Sequence, residues 1–325
     1  MYKIVYPNKE SLLKSKKPTE TIYLADEYIL NCPTRQYLAF ETYFELISFL
    51  QSVDPKESHI YEIIPDTTNY STFLFFDVDR YIYPECDADI LKDKDTYFDK
   101  LIQTFNKKLE TFLFDCYNII YQPLVGDNCH ICYSLTDAKI SCHIKYNIKL
   151  RNLEHNKALA INFIQYVSNH SSDLEKLIFY YKNNAQTECI IDHSVYKNFQ
   201  NIRVVRFSKN KTGATPLLPY KGSSTLIKDH LVLYHCEAGI NYKEFGNQLH
   251  EDIINVSDEA NHKTQYSSII VRAQDLSITT KTNTVQGKLR DTIIDDIQRH
   301  LMTDDDISKL LGGVTARFSL PKTDV

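Results

Sequence analysis

The 325-residue chain lacks internal repeats, Pro-rich linkers and low-complexity tracts, which excludes solenoid, fibrous and linker-joined architectures. It also has no tryptophan against 23 tyrosines, a skew that gene base composition can produce without a functional cause. No apolar stretch approaches the roughly 20 residues that span a bilayer, and Met1 to Glu10 lacks the apolar core of a signal peptide. The expectation is an intracellular protein with no membrane partner. Apolar residues at 43% and charged residues at 24% are too ordinary a balance for disorder, and the length suffices for one large core or two smaller ones. The eight cysteines are scattered, mostly in apolar runs, as reduced core thiols are. Only Cys129 and Cys132 have metal-knuckle spacing, with no second pair to follow. Residues three apart on a strand face opposite sides, so no zinc is expected.

One absence is local. From His193 through Lys228 there is no acidic residue, while Lys197, Arg203, Arg206, Lys209, Lys211, Lys221 and Lys228 fall inside the window. The net charge of −5 argues against a uniformly basic coat for nucleic acid, so any such surface must be local. A solvated face explains a basic run as well as a ligand does, and the window gains meaning only beside other residues.

The pattern of apolar positions predicts a mixed α/β chain of the α+β class. Strands are expected near Tyr2 to Tyr6, Tyr61 to Pro65, Ser71 to Asp79, Asn118 to Tyr121, Asn128 to Ser134, Lys139 to Lys149, Cys189 to His193 and Ile202 to Phe207. Helices are expected over Glu41 to Val53, Thr96 to Tyr117, Leu153 to Ser168 and Leu174 to Asn183, with a helical tail beyond about residue 261 near 287–301 and 304–311. The division is a small α/β module over 1–68, a catalytic module over 69–260 and the tail over 261–325.

Two segments carry chemistry. Lys139 to Lys149 alternates strictly, so Ile140, Cys142, Ile144, Tyr146 and Ile148 form a dry face. Lys139, Ser141, His143, Lys145 and Asn147 form a polar one suited to polyphosphate. Asp-x-Asp occurs four times, at Asp77/Asp79, Asp87/Asp89, Asp93/Asp95 and Asp304/Asp306. The second and third copies sit in a polar loop and the fourth fits a helix N-terminus. Asp77 and Asp79 instead end an apolar strand, where paired carboxylates repel unless a cation compensates them. Asp192, after Cys189-Ile190-Ile191, is the best third carboxylate, although a turn residue bonding local N–H groups has the same appearance.

In order, Phe76-Asp77-Val78-Asp79, Lys139-Ile140-Ser141-Cys142-His143, Ile191-Asp192 and the basic stretch with Asn201-Ile202-Arg203 and Ser208-Lys209 resemble the archaeo-eukaryotic primase superfamily. The likeness is to its PrimPol-like and large-DNA-virus primase branch. Tyr61 to Ile64 ahead of the carboxylate pair, and Val195-Tyr196 after Asp192, add to the resemblance, which covers roughly Tyr61 to Lys211. It implies a core with a sheet like that of the RNA-recognition motif and a DNA primase or primase-polymerase activity in DNA replication. Asp77, Asp79 and Asp192 would hold two divalent cations, Mg²⁺ or Mn²⁺. Lys139, Ser141 and His143 would contact the triphosphate of an incoming NTP or dNTP, and Arg203 and Lys209 would contact phosphates. Lys197, Arg206 and Lys211 would follow a single-stranded DNA template, and a replicative helicase or single-strand-binding protein would be the protein partner. Tyr196 and Phe199 have either a stacking or a core role. The chain departs from cellular PrimPol in having Asp-x-Asp for Asp-x-Glu, which viral relatives accept. It lacks the zinc module that PrimPol-like proteins often carry after the core, with only Cys236 among cysteines beyond Phe207, and without Gly-x-x-x-x-Gly-Lys-Ser/Thr no P-loop helicase is expected within it. Two other readings use part of the pattern: a metal-dependent nucleotide-sugar glycosyltransferase, and a non-catalytic nucleic-acid-binding module on the same fold.

Overall fold

In a computed structural model, the residues described are 4–15, 22–28, 34–183 and 186–244. The expected tail over 261–325 and its two helices lie outside them. The first elements are β1 (Ile4–Tyr6), α1 (Lys9–Ser15), β2 (Ile22–Asp26), β3 (Gln36–Phe40), α2 (Tyr43–Ser52) and β4 (Ile60–Ile64). Then come β5 (Thr72–Tyr81), α3 (Ala88–Lys92), α4 (Lys94–Tyr117), β6 (Cys129–Leu135), β7 (Lys139–Leu150), α5 (Leu153–His170) and α6 (Asp173–Phe179). The last are β8 (Tyr180–Asn183), β9 (Gln186–Cys189), β10 (Gln200–Arg203), β11 (Leu218–Pro219), α7 (Ile227–His230) and β12 (Lys243–Glu244). This is a mixed α+β fold built on antiparallel sheets.

Local chemistry sets the element ends. Thr42 and Glu45 form a capping box at the start of α2, each side chain accepting from the other's backbone N–H at 3.2–3.3 Å. Asp93 caps α4 by accepting from Thr96 N at 3.0 Å. At its other end Asn118 takes the left-handed conformation, φ 53°, and its N–H and that of Ile119 return to Phe114 O and Leu113 O. Those bonds occupy the backbone where a strand over Asn118 to Tyr121 was expected, and no strand forms. The expected helix over Leu174 to Asn183 stops at Phe179, because Tyr180 to Asn183 pair with Gln186 to Cys189 as a hairpin. The expected strand over Ile202 to Phe207 becomes β10 alone, ending at Arg203, since Arg206 turns left-handed at φ 77°.

One sheet runs β1-β3-β2-β4-β10, so its last strand comes from far along the chain, beyond α6. The second runs β11-β6-β7, with β5 on the other edge of β7 and β12 pairing parallel to residues 148–149. Alternation places Leu74, Phe76 and Val78 of β5 with Ile140, Cys142, Ile144, Tyr146 and Ile148 of β7 in one core with α4 and α5. Phe76 meets the rings of Phe105, Phe163 and Tyr146 at 5.1, 5.4 and 6.1 Å. Cys129 belongs to this core and Cys132 to the core of the other face.

The polar face of β7 differs from the open surface its sequence predicts. Lys145 is 2% exposed and Asn147 is buried: α7 and the segment after it cover Lys145, while Asn147 Nδ2 donates to Asp127 O at 3.2 Å. Lys145 donates to Asp229 O at 2.7 Å and lies 4.1 Å over the Phe73 ring. The same segment bonds along β5, with Phe73 N donating to Val232 O and Tyr234 N to Ser71 O. From the other sheet, buried Glu62 accepts from Val232 N and Leu233 N at 2.9 and 3.0 Å. Only the Lys139 end of that polar face is left for a ligand.

Candidate metal centre

On β5 the outward face opens in steps. Phe73 and Phe75 are buried, Asp77 and Asp79 are half-buried and Tyr81 is exposed. Each of the last three faces a β7 residue directly: Asp77 opposite His143, Asp79 opposite Ser141 and Tyr81 opposite Lys139. The third carboxylate arrives on the free edge of β5. Val78 bridges to Ile191, Asp79 N donates to Ile190 O at 2.7 Å, and Asp192 N donates to Asp77 O at 2.9 Å. Segment 190–192 therefore runs as a short antiparallel strand beside the Asp-x-Asp, and oxygens of Asp77, Asp79 and Asp192 come within 4.8 Å of one another.

Both expectations for Asp192 hold at once. One oxygen accepts from Ser194 N at 2.8 Å, fixing the turn that follows, and a carboxylate oxygen also completes the acidic cluster. Burial, followed by the nearby charges of Asp79 and Asp192, pushes Asp77 up to about 7. Lys139 Nζ lies 2.6 Å from Asp79 Oδ2, and Ser141 Oγ donates to Asp79 Oδ1 at 2.8 Å. An ammonium and a hydroxyl thus serve the carboxylate where a cation would. Three oxygen donors of this kind fit a divalent cation, with hard ions preferred.

The remaining predicted residues divide into two groups. His143 Nε2 is 3.6 Å from Asp77 Oδ1, too far for a hydrogen bond. Burial, then the Arg203 charge, pushes its pKa down to about 3. It is a neutral imidazole at physiological pH, and what it offers a phosphate is a hydrogen bond. Arg203, at the end of β10, is 7% exposed and donates to Thr215 O, while its Nε is buried without a partner among the described residues. Lys209 stands at the surface close enough to Asp77 and Asp79 to feel both. Desolvation, then the charges of Lys139 and Arg203, lower its pKa. Those three join Lys139 and Ser141 beside the acidic cluster. Lys197, Arg206 and Lys211 are exposed, and no contact ties them to it; Arg206 donates instead to Thr225 O at 2.7 Å.

Tyr196 is core. It is 3% exposed, its ring packs 5.2 Å from Phe75, and its hydroxyl donates to Phe75 O at 2.7 Å, closing the strand face just behind Asp77. Phe199 is half-buried at the other end of β10 under Lys9 Nζ, 4.1 Å from its ring centroid. One contributor escaped the sequence reading: Tyr81 continues the Asp77, Asp79 alternation and was there to be counted. Glu62 entered it only by its place ahead of the carboxylate pair, without its burial.

The fold and site define an α+β protein with a three-aspartate centre able to take a divalent cation. No protein-family model matches the chain, and no curated protein matches it.

Proposed function

We propose that this chain is a template-directed nucleotidyltransferase, a DNA primase or primase-polymerase with an archaeo-eukaryotic primase core. The observation that supports the reading is the convergence of Asp77, Asp79 and Asp192 on one point, faced by the row Lys139, Ser141, His143. Asp77, Asp79 and Asp192 would hold two divalent cations, Mg²⁺ or Mn²⁺. When bound, such a pair lowers the pKa of an attacking hydroxyl and neutralises charge on departing pyrophosphate.

The chain's own residues do the rest. Lys139 and Ser141, now engaged with Asp79, turn to triphosphate oxygens once that carboxylate has a cation. His143 would donate a hydrogen bond beside them, and the Arg203 Nε, buried without a partner among the described residues, would find its acceptor in a phosphate oxygen. Lys209 supplies charge at the rim, and Lys197, Arg206 and Lys211 follow the template backbone in a salt-sensitive, sequence-independent way. A glycosyltransferase would use the carboxylates but leave the row on β7 without a task.

The test is extension of a labelled primer-template, and de novo synthesis on bare single strands, with Mg²⁺ or Mn²⁺. Wild type is expected to synthesise, and Asp77→Ala to lose synthesis while keeping template binding. Wild type inactive in both formats, or Asp77→Ala as active as wild type, refutes the proposal.

A further inference from the structure

The grid of β5 and β7 residues does not end at Asp79. Its third row is Tyr81 opposite Lys139, and Tyr81 is 44% exposed, in line with the half-buried carboxylates. The ring is held in place from behind. Tyr181 of β8 packs against it at 6.2 Å, Tyr83 stacks on Tyr181 at 6.4 Å, and Glu188 accepts from the Tyr181 hydroxyl at 2.7 Å. Lys139 Nζ sits 4.7 Å from the Tyr81 ring centroid while paired with Asp79.

We infer that Tyr81 is the platform for the base of the incoming nucleotide, a reading that rests on the proposed function and names a specificity-determining contact within it. The strand face is closed behind Asp77 by Phe75 and Tyr196, and Tyr81 is the exposed residue at its other end among the described residues. A nucleotide whose phosphates lie at the aspartates and Lys139 therefore carries its sugar and base along the strand, toward a ring roughly 7 Å beyond Asp79 at two strand residues. With Asp79 committed to a cation, the Lys139 ammonium is released to a phosphate oxygen and uncovers the ring. Every base has a π face, so the contact discriminates nucleotide from bare polyphosphate more than one base from another.

The test is the affinity of the full chain for ATP and for inorganic tripolyphosphate, each with Mn²⁺, by calorimetry. Stacking on one ring is expected to make ATP bind roughly 5- to 150-fold more tightly than tripolyphosphate. Tyr81→Ala should bring that ratio close to one with tripolyphosphate affinity unchanged, and Tyr81→Phe should preserve the ratio. Tyr81→Leu, which keeps bulk against Tyr181, replaces the alanine variant if that one no longer binds tripolyphosphate. Equal affinities in wild type, a ratio retained in Tyr81→Ala or Tyr81→Leu, or a loss in Tyr81→Phe as large as in Tyr81→Ala overturns the inference. Failure of the proposed function looks different: no synthesis by wild type although ATP is preferred and the preference depends on Tyr81.

Discussion

Burial of Glu62 and Lys145 on facing sheets makes a pH-dependent stability with a defined shape. Burial raises Glu62 from 4.5 to about 7, against the opposing effect of the Val232 and Leu233 N–H groups and of Lys145. Burial lowers Lys145 from 10.5 to about 7, against the charges of Asp229 and Glu62. For Glu62 the folded state holds more protons than the unfolded state between pH 4.5 and 7, so its contribution is full below that window and is lost as pH rises through it. The whole change is worth roughly 3 kcal/mol, of which roughly 2 kcal/mol falls between pH 5 and 7. For Lys145 the unfolded state holds more protons from pH 7 to 10.5, so stability recovers with pH over that range. Glu62→Gln keeps the side-chain shape and one acceptor oxygen but loses the first limb. Chemical denaturation or thermal melting of wild type and variant should show wild type ahead at pH 5. The gap should narrow by roughly 2 kcal/mol at pH 7, or roughly 3 °C in a chain of this size. Lys145→Met should remove the upper limb only. Parallel Glu62→Gln and wild-type curves from pH 5 to 7 would refute the reasoning. A gap that widens toward pH 7 would show instead that the two groups are retained as a charged pair.

Two further outcomes follow from the site and its supports. Mn²⁺ at one hundred times its Kd should stabilise wild type by about 2.7 kcal/mol; Asp192→Asn, which can still accept from Ser194 N, should fold normally and lose most of that shift in a thermal melt. Gly126 has φ 91°, and a Cβ there would lie 2.0 Å from Gly222 O. Gly126→Ala should therefore lower the denaturation midpoint by the equivalent of about 2 kcal/mol or more, and an unchanged midpoint would show that the turn relaxes freely.

Alternation was the signal that carried furthest from sequence to structure. It located β5, β6 and β7, and it assigned the dry face of β7 correctly because that face packs apolar side chains against α4 and α5, with the Tyr146 hydroxyl donating to Asn106 Oδ1 of α4 at 2.7 Å. The same rule misjudged Lys145 and Asn147, since period two says which residues share a face and nothing about what covers it. What covers Lys145 lies 84 residues further along, a distance over which single-sequence patterning has no reach, and Asn147 is taken up by Asp127 O just ahead of β6. β2 and β3 were missed for a related reason. Burial on both faces of β2 erases the alternation that would mark it. At the site, the Asp77 and Asp79 pair was legible because two carboxylates at the end of a Phe-rich strand conflict with their surroundings. Asp192 was legible only in company, because its backbone role and its place in the cluster leave the same trace in sequence.

The geometry of the acidic cluster is set by main chain. Asp79 N to Ile190 O and Asp192 N to Asp77 O are ladder bonds of 2.7 and 2.9 Å, and they hold the carboxylates together whatever the side chains prefer. The side chains themselves favour separation: burial, and then the charges of Asp79 and Asp192, raise the Asp77 pKa. The counter-charge, by contrast, comes from mobile groups of the next strand: the Lys139 ammonium and the Ser141 hydroxyl both lean on Asp79. Carboxylates fixed by main chain, with partners held only by side chains, suit the metal-dependent function proposed above: a cation held by Asp77, Asp79 and Asp192 would compete with the Lys139 ammonium, which would then be available to a phosphate. The arrangement also explains why the row on β7 must lie directly opposite the aspartates: a one-residue slip of β5 against β7 would turn Lys139, Ser141 and His143 toward α4 and α5 and put Ile140 and Cys142 at the cluster.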